Sequence, residues 1–290
     1  MLTHALDRCW TLPKSAPLIV QLGRTGDLLL LFPAFKIIRD RVGMNPVVMV
    51  SREYSGVMEG ISYATPWVID GHWYNDMPKA RQIAERTFGN AIIPHFWSPG
   101  VDASDLVKGP MVLQCHGHEW GCCPERYPDF GTSMWIRAGL TREEMITSPL
   151  VIDRRNTHRE LDLVKRFNRS EKPMLLYNFT GISSPFGYVP EMMRLLAPYR
   201  QHFNMVDLGE VRAHRIFDLL GLYDAAVGLI TIDSATAHLA PGSKVPTLWL
   251  TVPGWGRSVP RGNVALHVQY DQVPKRLSEI QAVIEKWKTA

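Results

Sequence analysis

Short apolar runs alternate with amphipathic or glycine-bearing segments along most of the chain. Residues 17–22 form a mostly apolar run closed by Gly23 and Gly26, the pattern of a buried strand entering a turn. Residues 28–41 then read as a helix and 46–50 as a second strand. Shorter strand candidates lie at 67–69, 91–93 and 111–114, in a stretch crowded with Trp, His, Pro and Gly. After a charged, helical 154–170 a second series begins. It predicts strands at 173–178, 205–208, 226–232 and 245–250, with helices at 189–199, 211–223 and 234–241. Residues 276–288 close it as an amphipathic helix whose Leu277, Ile280, Val283, Ile284 and Trp287 recur every three or four positions.

Strands alternating with helices predict an α/β fold with parallel sheets. Two series, each opening on a strand and a glycine-bearing turn, predict two Rossmann-like domains, 1–155 and 156–290. The terminal helix is a candidate to pack back on the first domain. Such folds bind ligands beyond the carboxyl ends of their strands, so the cleft between two facing domains is the expected site.

Composition narrows the class. The chain has 290 residues, enough for two cores. No apolar run reaches the roughly 18–20 residues of a membrane span. The first residues carry Asp7 and no continuous apolar stretch, unlike a secretory leader. Four cysteines do not build a disulfide framework in so long a chain, and a reducing cytoplasm is the expected compartment. The formal charge of +4 suits an anionic small ligand, a phosphorylated acceptor, a membrane face or nucleic acid, without choosing among them.

Three segments carry candidate chemistry. In Gly23-Arg-Thr-Gly-Asp27, a strand turns into a helix whose first N–H groups favour an anion or a hydroxyl. Asp27 reads either as a first-turn carboxylate stabilising that helix or as a general base for an acceptor hydroxyl. In Asp233-Ser-Ala-Thr-Ala-His238, a strand ends at a short helix. Asp233 and Ser234 read as caps or as ligand contacts, and His238 as structural or as a donor to a leaving group. In Asn178-Phe-Thr-Gly-Ile-Ser-Ser184, hydroxyls and N–H groups read as a phosphate cradle or as an ordinary turn.

The run Leu22-Gly-x-x-Gly-Asp27 with Pro33, Ala34 and Arg39 resembles the N-terminal motif of glycosyltransferase family nine, the ADP-heptose lipopolysaccharide heptosyltransferases. Asp233-Ser234, His238-Leu-Ala240 and the strand after Pro246 resemble that family's donor-binding motif. The resemblance implies a GT-B fold and an inverting, metal-independent transfer of a sugar from a nucleotide-sugar donor to an acceptor hydroxyl. It implies Asp27 as catalytic base. It implies donor contacts from Thr180, Gly181, Ser183, Glu210, Asp233, Ser234, Ala235, Thr236 and His238. Gly23, Arg24, Thr25 and Gly26 would meet the acceptor. His116, His118 and Trp120 of the middle segment, which has no clear counterpart in the family, are candidate acceptor contacts by residue type, the Trp stacking on a sugar ring. No cofactor or metal is implied beyond the nucleotide-sugar co-substrate.

The chain departs from the family pattern in three places. Leu31 and Phe32 stand where a threonine or similar small residue is usual after the aspartate. Ala235 replaces a glycine, which would strain the turn if that position needed positive φ. The loop after residue 178 lacks the usual lysine, with Phe186, Gly187 and Tyr188 in its place. Arg257 or Arg261 is the candidate substitute. The middle segment Cys115-His-Gly-His-Glu-Trp-Gly-Cys-Cys123 fits neither of the usual zinc spacings, and reads as a loop or as a sugar-facing turn. The acceptor is open: a glycan or lipid-linked sugar met by peripheral membrane contact, or a modified base of (phage) DNA. A nucleotide-binding module that has lost catalysis is the non-enzyme alternative.

Overall fold

The computed structural model describes residues 16–70, 112–114, 129–137, 140–182, 184–254 and 259–289. The chain divides into two compact units, Met1–Arg154 and Arg155–Ala290. Among the described residues, no helix is long and apolar enough to cross a membrane.

In the first unit β1 (Leu18–Val20), β2 (Val47–Ser51), β3 (Thr65–Ile69) and β4 (Val112–Gln114) form a parallel sheet in the order β3-β2-β1-β4. The strand candidate at 91–93 lies outside the described residues. Helix α1 (Thr25–Val42) follows β1 and begins three residues before the predicted start, because the Gly-Asp pair belongs to its first turn. Every residue from Leu28 to Phe35 is buried, so this stretch is apolar on all sides rather than amphipathic. Pro33 leaves a bonding gap in the ladder of α1. One turn away, the indole Nε1 of Trp135, in α2 (Phe130–Arg137), donates to the Leu30 carbonyl at 3.2 Å. Gly43 closes α1 at φ 78°, donating to the Arg39 carbonyl at 2.7 Å. Helix α3 (Arg142–Thr147) starts with a Thr141/Glu144 capping box.

The second unit opens with α4 (Thr157–Phe167), capped by Asn156. Its parallel sheet runs β6-β5-β7-β8-β9, from β5 (Met174–Asn178), β6 (Asn204–Asp207), β7 (Ala226–Ile232), β8 (Thr247–Thr251) and β9 (Val264–Gln269). Helices α5 (Val189–Leu196), α6 (Leu220–Ala225), α7 (Ala235–Leu239) and α8 (Leu277–Trp287) complete it. One face of β7 and β8 meets α5 and α8 in a core of Ile230, Ile232, Leu248, Leu250, Met192, Ile280, Ile284 and Trp287. Helix α8 therefore packs within the second unit. Gly228 makes this possible, because a Cβ there would stand only 2.4–2.7 Å from three atoms of the Trp287 ring.

The predicted helix at 211–223 is corrected. Residues 211–215 are irregular, and a 3-10 turn at Ile216–Leu219 leads into α6. The buried Asp218 accepts the Arg215 backbone N–H at 3.0 Å and pairs with its guanidinium, which starts the helical turn there.

Candidate functional site

In both units the chain order reverses beside the first strand, between β1 and β4 in one and between β5 and β7 in the other. The carboxyl ends of strands at such a reversal are where open α/β sheets bind ligands. The segments singled out from sequence fall at these ends. Gly23 to Asp27 follow β1, Thr180 and Gly181 follow β5, and Asp233 to His238 follow β7.

In the first unit Asp27 is half-buried in the first turn of α1, and its Oδ2 accepts the Arg24 N–H at 2.9 Å. Gly23 N–H donates to Oε1 of the buried Gln21 at 2.8 Å, which fixes the turn between strand and helix. The helix-stabilising role of Asp27 is thus present, and one carboxylate oxygen performs it. Arg24 meets Tyr54 in the 3-10 segment after β2. Burial pushes the Tyr54 hydroxyl above its ordinary pKa, as does its bond with Glu53, while Arg24 works the other way. Thr25 and Gly26 form the first residues of α1.

In the second unit a polar cluster joins the loops after β5 and β7. The buried Asn178 ends β5. Its Oδ1 accepts from the Thr180 N–H at 3.1 Å and the Thr180 hydroxyl at 2.8 Å. Its Nδ2 donates to Ser234 Oγ at 3.2 Å and Thr236 Oγ1 at 2.9 Å. Thr236 Oγ1 also lies 3.0 Å from Thr231 Oγ1 and 2.8 Å from Ser234 Oγ. A Cβ on Gly209 would stand 3.0 Å from Thr180 Oγ1, so the loop after β6 presses on the same threonine. Gly181 lies against Ile232, whose Cδ1 would meet an added Cβ at 2.9 Å.

Asp233 is buried beside this cluster, and its Oδ1 lies 3.4 Å from His238 Nε2. The Asp233 N–H donates to the Tyr270 hydroxyl at 3.3 Å, and that hydroxyl donates to the Ser184 carbonyl at 3.4 Å. Burial drives the Tyr270 phenol upward, and the Asp233 carboxylate adds to it, so the hydroxyl stays a donor. The His238 ring stands edge-on to Trp249, with centroids 5.9 Å apart.

Two doubts raised by the sequence resolve here. Ala235 is the first residue of α7, and no described non-glycine residue has positive φ, so alanine costs no backbone strain. In the lysine-free loop, Phe186 instead packs inward against Phe179 and Tyr270, at centroid distances of 5.8 and 4.9 Å. Arg261 is not at this end of the sheet. It is buried next to Gly262 and Asn263, which meet the amino ends of β8 and β9 through Asn263 O to Thr247 N–H at 2.8 Å. Burial lowers its pKa to about 10.

Glu210 is exposed one turn past β6, and its N–H donates to the Asp207 carbonyl at 3.1 Å. Among the described residues, its side chain makes no hydrogen bond to the Asn178 cluster. Ser183, His116, His118, Trp120, Arg257 and the cysteines of 115–123 lie outside the described residues. Among the described residues no group of three or more His, Cys, Asp or Glu could hold a metal ion. Asn178, Thr231 and Tyr270 belong to the cluster and were not singled out as site residues from sequence.

Among the solved structures that this chain resembles are glycosyltransferases. A family 9 glycosyl transferase from Veillonella parvula superposes with a TM-score of 0.57 at 14% identity, over 94% of this chain and 97% of that one. The ADP-heptose lipopolysaccharide heptosyltransferase II of E. coli gives 0.58 at 11% identity, over 94% and 98%. The chain has the fold of these glycosyltransferases. The iron-containing dodecameric glycosyltransferase TibC of enterotoxigenic E. coli gives 0.51 at 11%, over 81% of this chain and 58% of that one. No protein-family model matches the sequence, and no curated protein matches it. The likeness to these enzymes is therefore carried by the arrangement of strands and helices, with little shared sequence.

Proposed function

We propose that this chain is an inverting, metal-independent glycosyltransferase that moves a sugar from a nucleotide-diphosphate donor to an acceptor hydroxyl. The observation that carries the reading is the Asn178–Thr180–Ser234–Thr236 cluster with the adjoining Asp233–His238 pair, at the strand reversal of a sheet in a glycosyltransferase fold. The cluster holds the loops after β5 and β7 in place before the reaction, so that little reorganisation is needed as charge grows on the leaving diphosphate. His238, held by Asp233, is a further donor to the diphosphate or the sugar. Gly181 and Ala235 supply backbone to the same end of the sheet; Ser183 is assigned to the donor as well, and Glu210 to the ribose.

Asp27 takes the proton of the acceptor hydroxyl in this reading. That oxygen then attacks the anomeric carbon from the face opposite the leaving group, which inverts the configuration. Arg24 and its neighbours in the Gly23–Asp27 turn orient the acceptor, a glycan or lipid-linked sugar. A cytoplasmic location suits a nucleotide-sugar donor.

A thermal-shift screen against ADP-, UDP-, GDP- and dTDP-sugars, with EDTA or with magnesium, tests the donor assignment. One nucleotide class is expected to raise Tm equally in both conditions. A ligand at 100 times its Kd stabilises the native state by about 2.7 kcal/mol. A shift seen only with magnesium would contradict the metal-independent mechanism. A shift with no sugar transfer would favour a binding module.

A further inference from the structure

The Asn178 side chain has two donor N–H groups and an oxygen with two lone pairs, and all four positions are used. The Thr180 backbone N–H can only donate, so it must face Oδ1, and this fixes which end of the amide meets Ser234 and Thr236. Asn178 is also the last residue of β5 in register with β7, opposite Thr231. The backbone ladder already joins the two strands up to that point. What the side chain adds lies beyond the ladder: it ties the loop after β5 to the loop after β7, across a sequence separation of 56 to 58 residues.

The tie also orients hydroxyls. Thr180 Oγ1 donates inward to Asn178 at 2.8 Å, which commits its proton to the cluster and fixes the position of the Thr180–Gly181 backbone. Ser234 Oγ receives the Asn178 amide and lies 3.2 Å from the Ile232 carbonyl, to which it donates. Thr180 is exposed and Ser234 half-buried, so a ligand can reach both, whereas Asn178 and Thr231 are buried beneath them. Helix α7 has only five residues, too few for its dipole to define an anion site. What the side-chain cluster contributes is the fixed placing of the two loops at this end of the sheet.

We propose that Asn178 is a positioning residue that sets the loops carrying Thr180 and Ser234 around the phosphates of a nucleoside diphosphate. It acts through those loops and does not itself touch the ligand. This inference rests on the nucleotide-sugar reading of the same site.

Isothermal titration of the full chain with ADP, UDP, GDP and dTDP, and then with the nucleoside of whichever binds best, tests it. Asn178→Ala is expected to weaken the diphosphate by about 10–100-fold while the matching nucleoside stays within about twofold, the pattern of a lost supporting contact. Asn178→Asp keeps the volume but sets a carboxylate beneath the ligand, and is expected to weaken the diphosphate further and the nucleoside no more. Thr180→Val lies on the exposed side, leaves the fold intact, and is expected to reproduce part of the loss. Wild-type diphosphate affinity in Asn178→Ala and Thr180→Val would overturn the proposal. Equal losses for nucleoside and diphosphate would overturn it too, because they indicate a merely structural role. If the wild-type chain binds none of the four diphosphates, the nucleotide-sugar reading fails and this inference with it.

Discussion

Asp27 shows how one side chain can hold a helix start and still be proposed for chemistry. Its Oδ2 accepts the Arg24 N–H at 2.9 Å, a bond that an asparagine oxygen can also accept. Asp27→Asn should therefore cost less than about 1 kcal/mol in urea unfolding, while removing the only charge that could take a proton at that position. A second residue-scale prediction concerns pH. Tyr199 donates to Glu285 at 2.6 Å. Burial first, then this carboxylate, pushes the Tyr199 phenol from 10.0 up to about 12. The Tyr199 bond, and next the Lys288 ammonium, hold Glu285 below 4.5. The phenol's folded pKa is raised, so its contribution is complete below pH 10 and is lost as pH climbs towards about 12. The carboxylate's is lowered, so its contribution is present above pH 4.5 and is lost as pH falls through the depressed folded value. Tyr199→Phe should flatten both limbs of a Tm-against-pH curve, and an unchanged curve would exclude the pair as a source of either. The helix-start role of Asp27 was legible from sequence, because a Gly-Asp pair between an apolar strand and an apolar helix marks a first-turn carboxylate, whereas its catalytic assignment rests on the family resemblance. Asn178 was not legible, because a polar residue closing an apolar run looks like any strand end. Its partners lie 56 to 58 residues away, and only the fold brings them together.

At the scale of elements, two close approaches govern the second unit. Gly228 of β7 faces the Trp287 ring of α8. Gly228→Ala should cost about 1–3 kcal/mol by overpacking, and Trp287→Leu should relieve much of it in the double variant. A double-mutant cycle by thermal melting checks the coupling. The second approach is α4 on α6, where a Cβ on Gly221 would come within 2.7 Å of Glu160 Cβ. There the buried Glu160 receives the Arg155 guanidinium at 2.5 and 3.0 Å, and Arg155 also reaches Asp224 at 2.6 Å. Arg155→Met should lower unfolding stability by about 2–3 kcal/mol, less than the full cost of stranding a buried carboxylate because Arg155 itself is partly exposed. Strands such as β5 and β7 were legible because a parallel strand buried on both faces is an unbroken apolar run. β9 was missed: its Val264, Leu266 and Val268 alternate over only six residues, at the edge of the sheet. The start of α6 was misplaced because apolar periodicity extends through 211–215, and the Arg215–Asp218 cap that fixes the true start depends on burial.

For the whole molecule, the fold class and the order of its two α/β series followed from pattern alone. The resemblance to solved glycosyltransferases extends over 94% of the chain at 11–14% identity. Residues 50–150, which sequence pattern left largely unassigned, include the short helices α2 and α3, whose 8 and 6 residues are too few to show an apolar period. The account joins a base in the first unit to a diphosphate site in the second, and transfer chemistry requires both. The most direct test follows release of the nucleoside diphosphate from the sugar donor that binds in EDTA, with wild-type chain and with Asp27→Asn. The account predicts equal donor affinity for the two proteins, with turnover reduced at least about 100-fold in the variant. Equal turnover in both would remove Asp27 from the chemistry, and failure of every nucleotide sugar to bind would contradict the account as a whole.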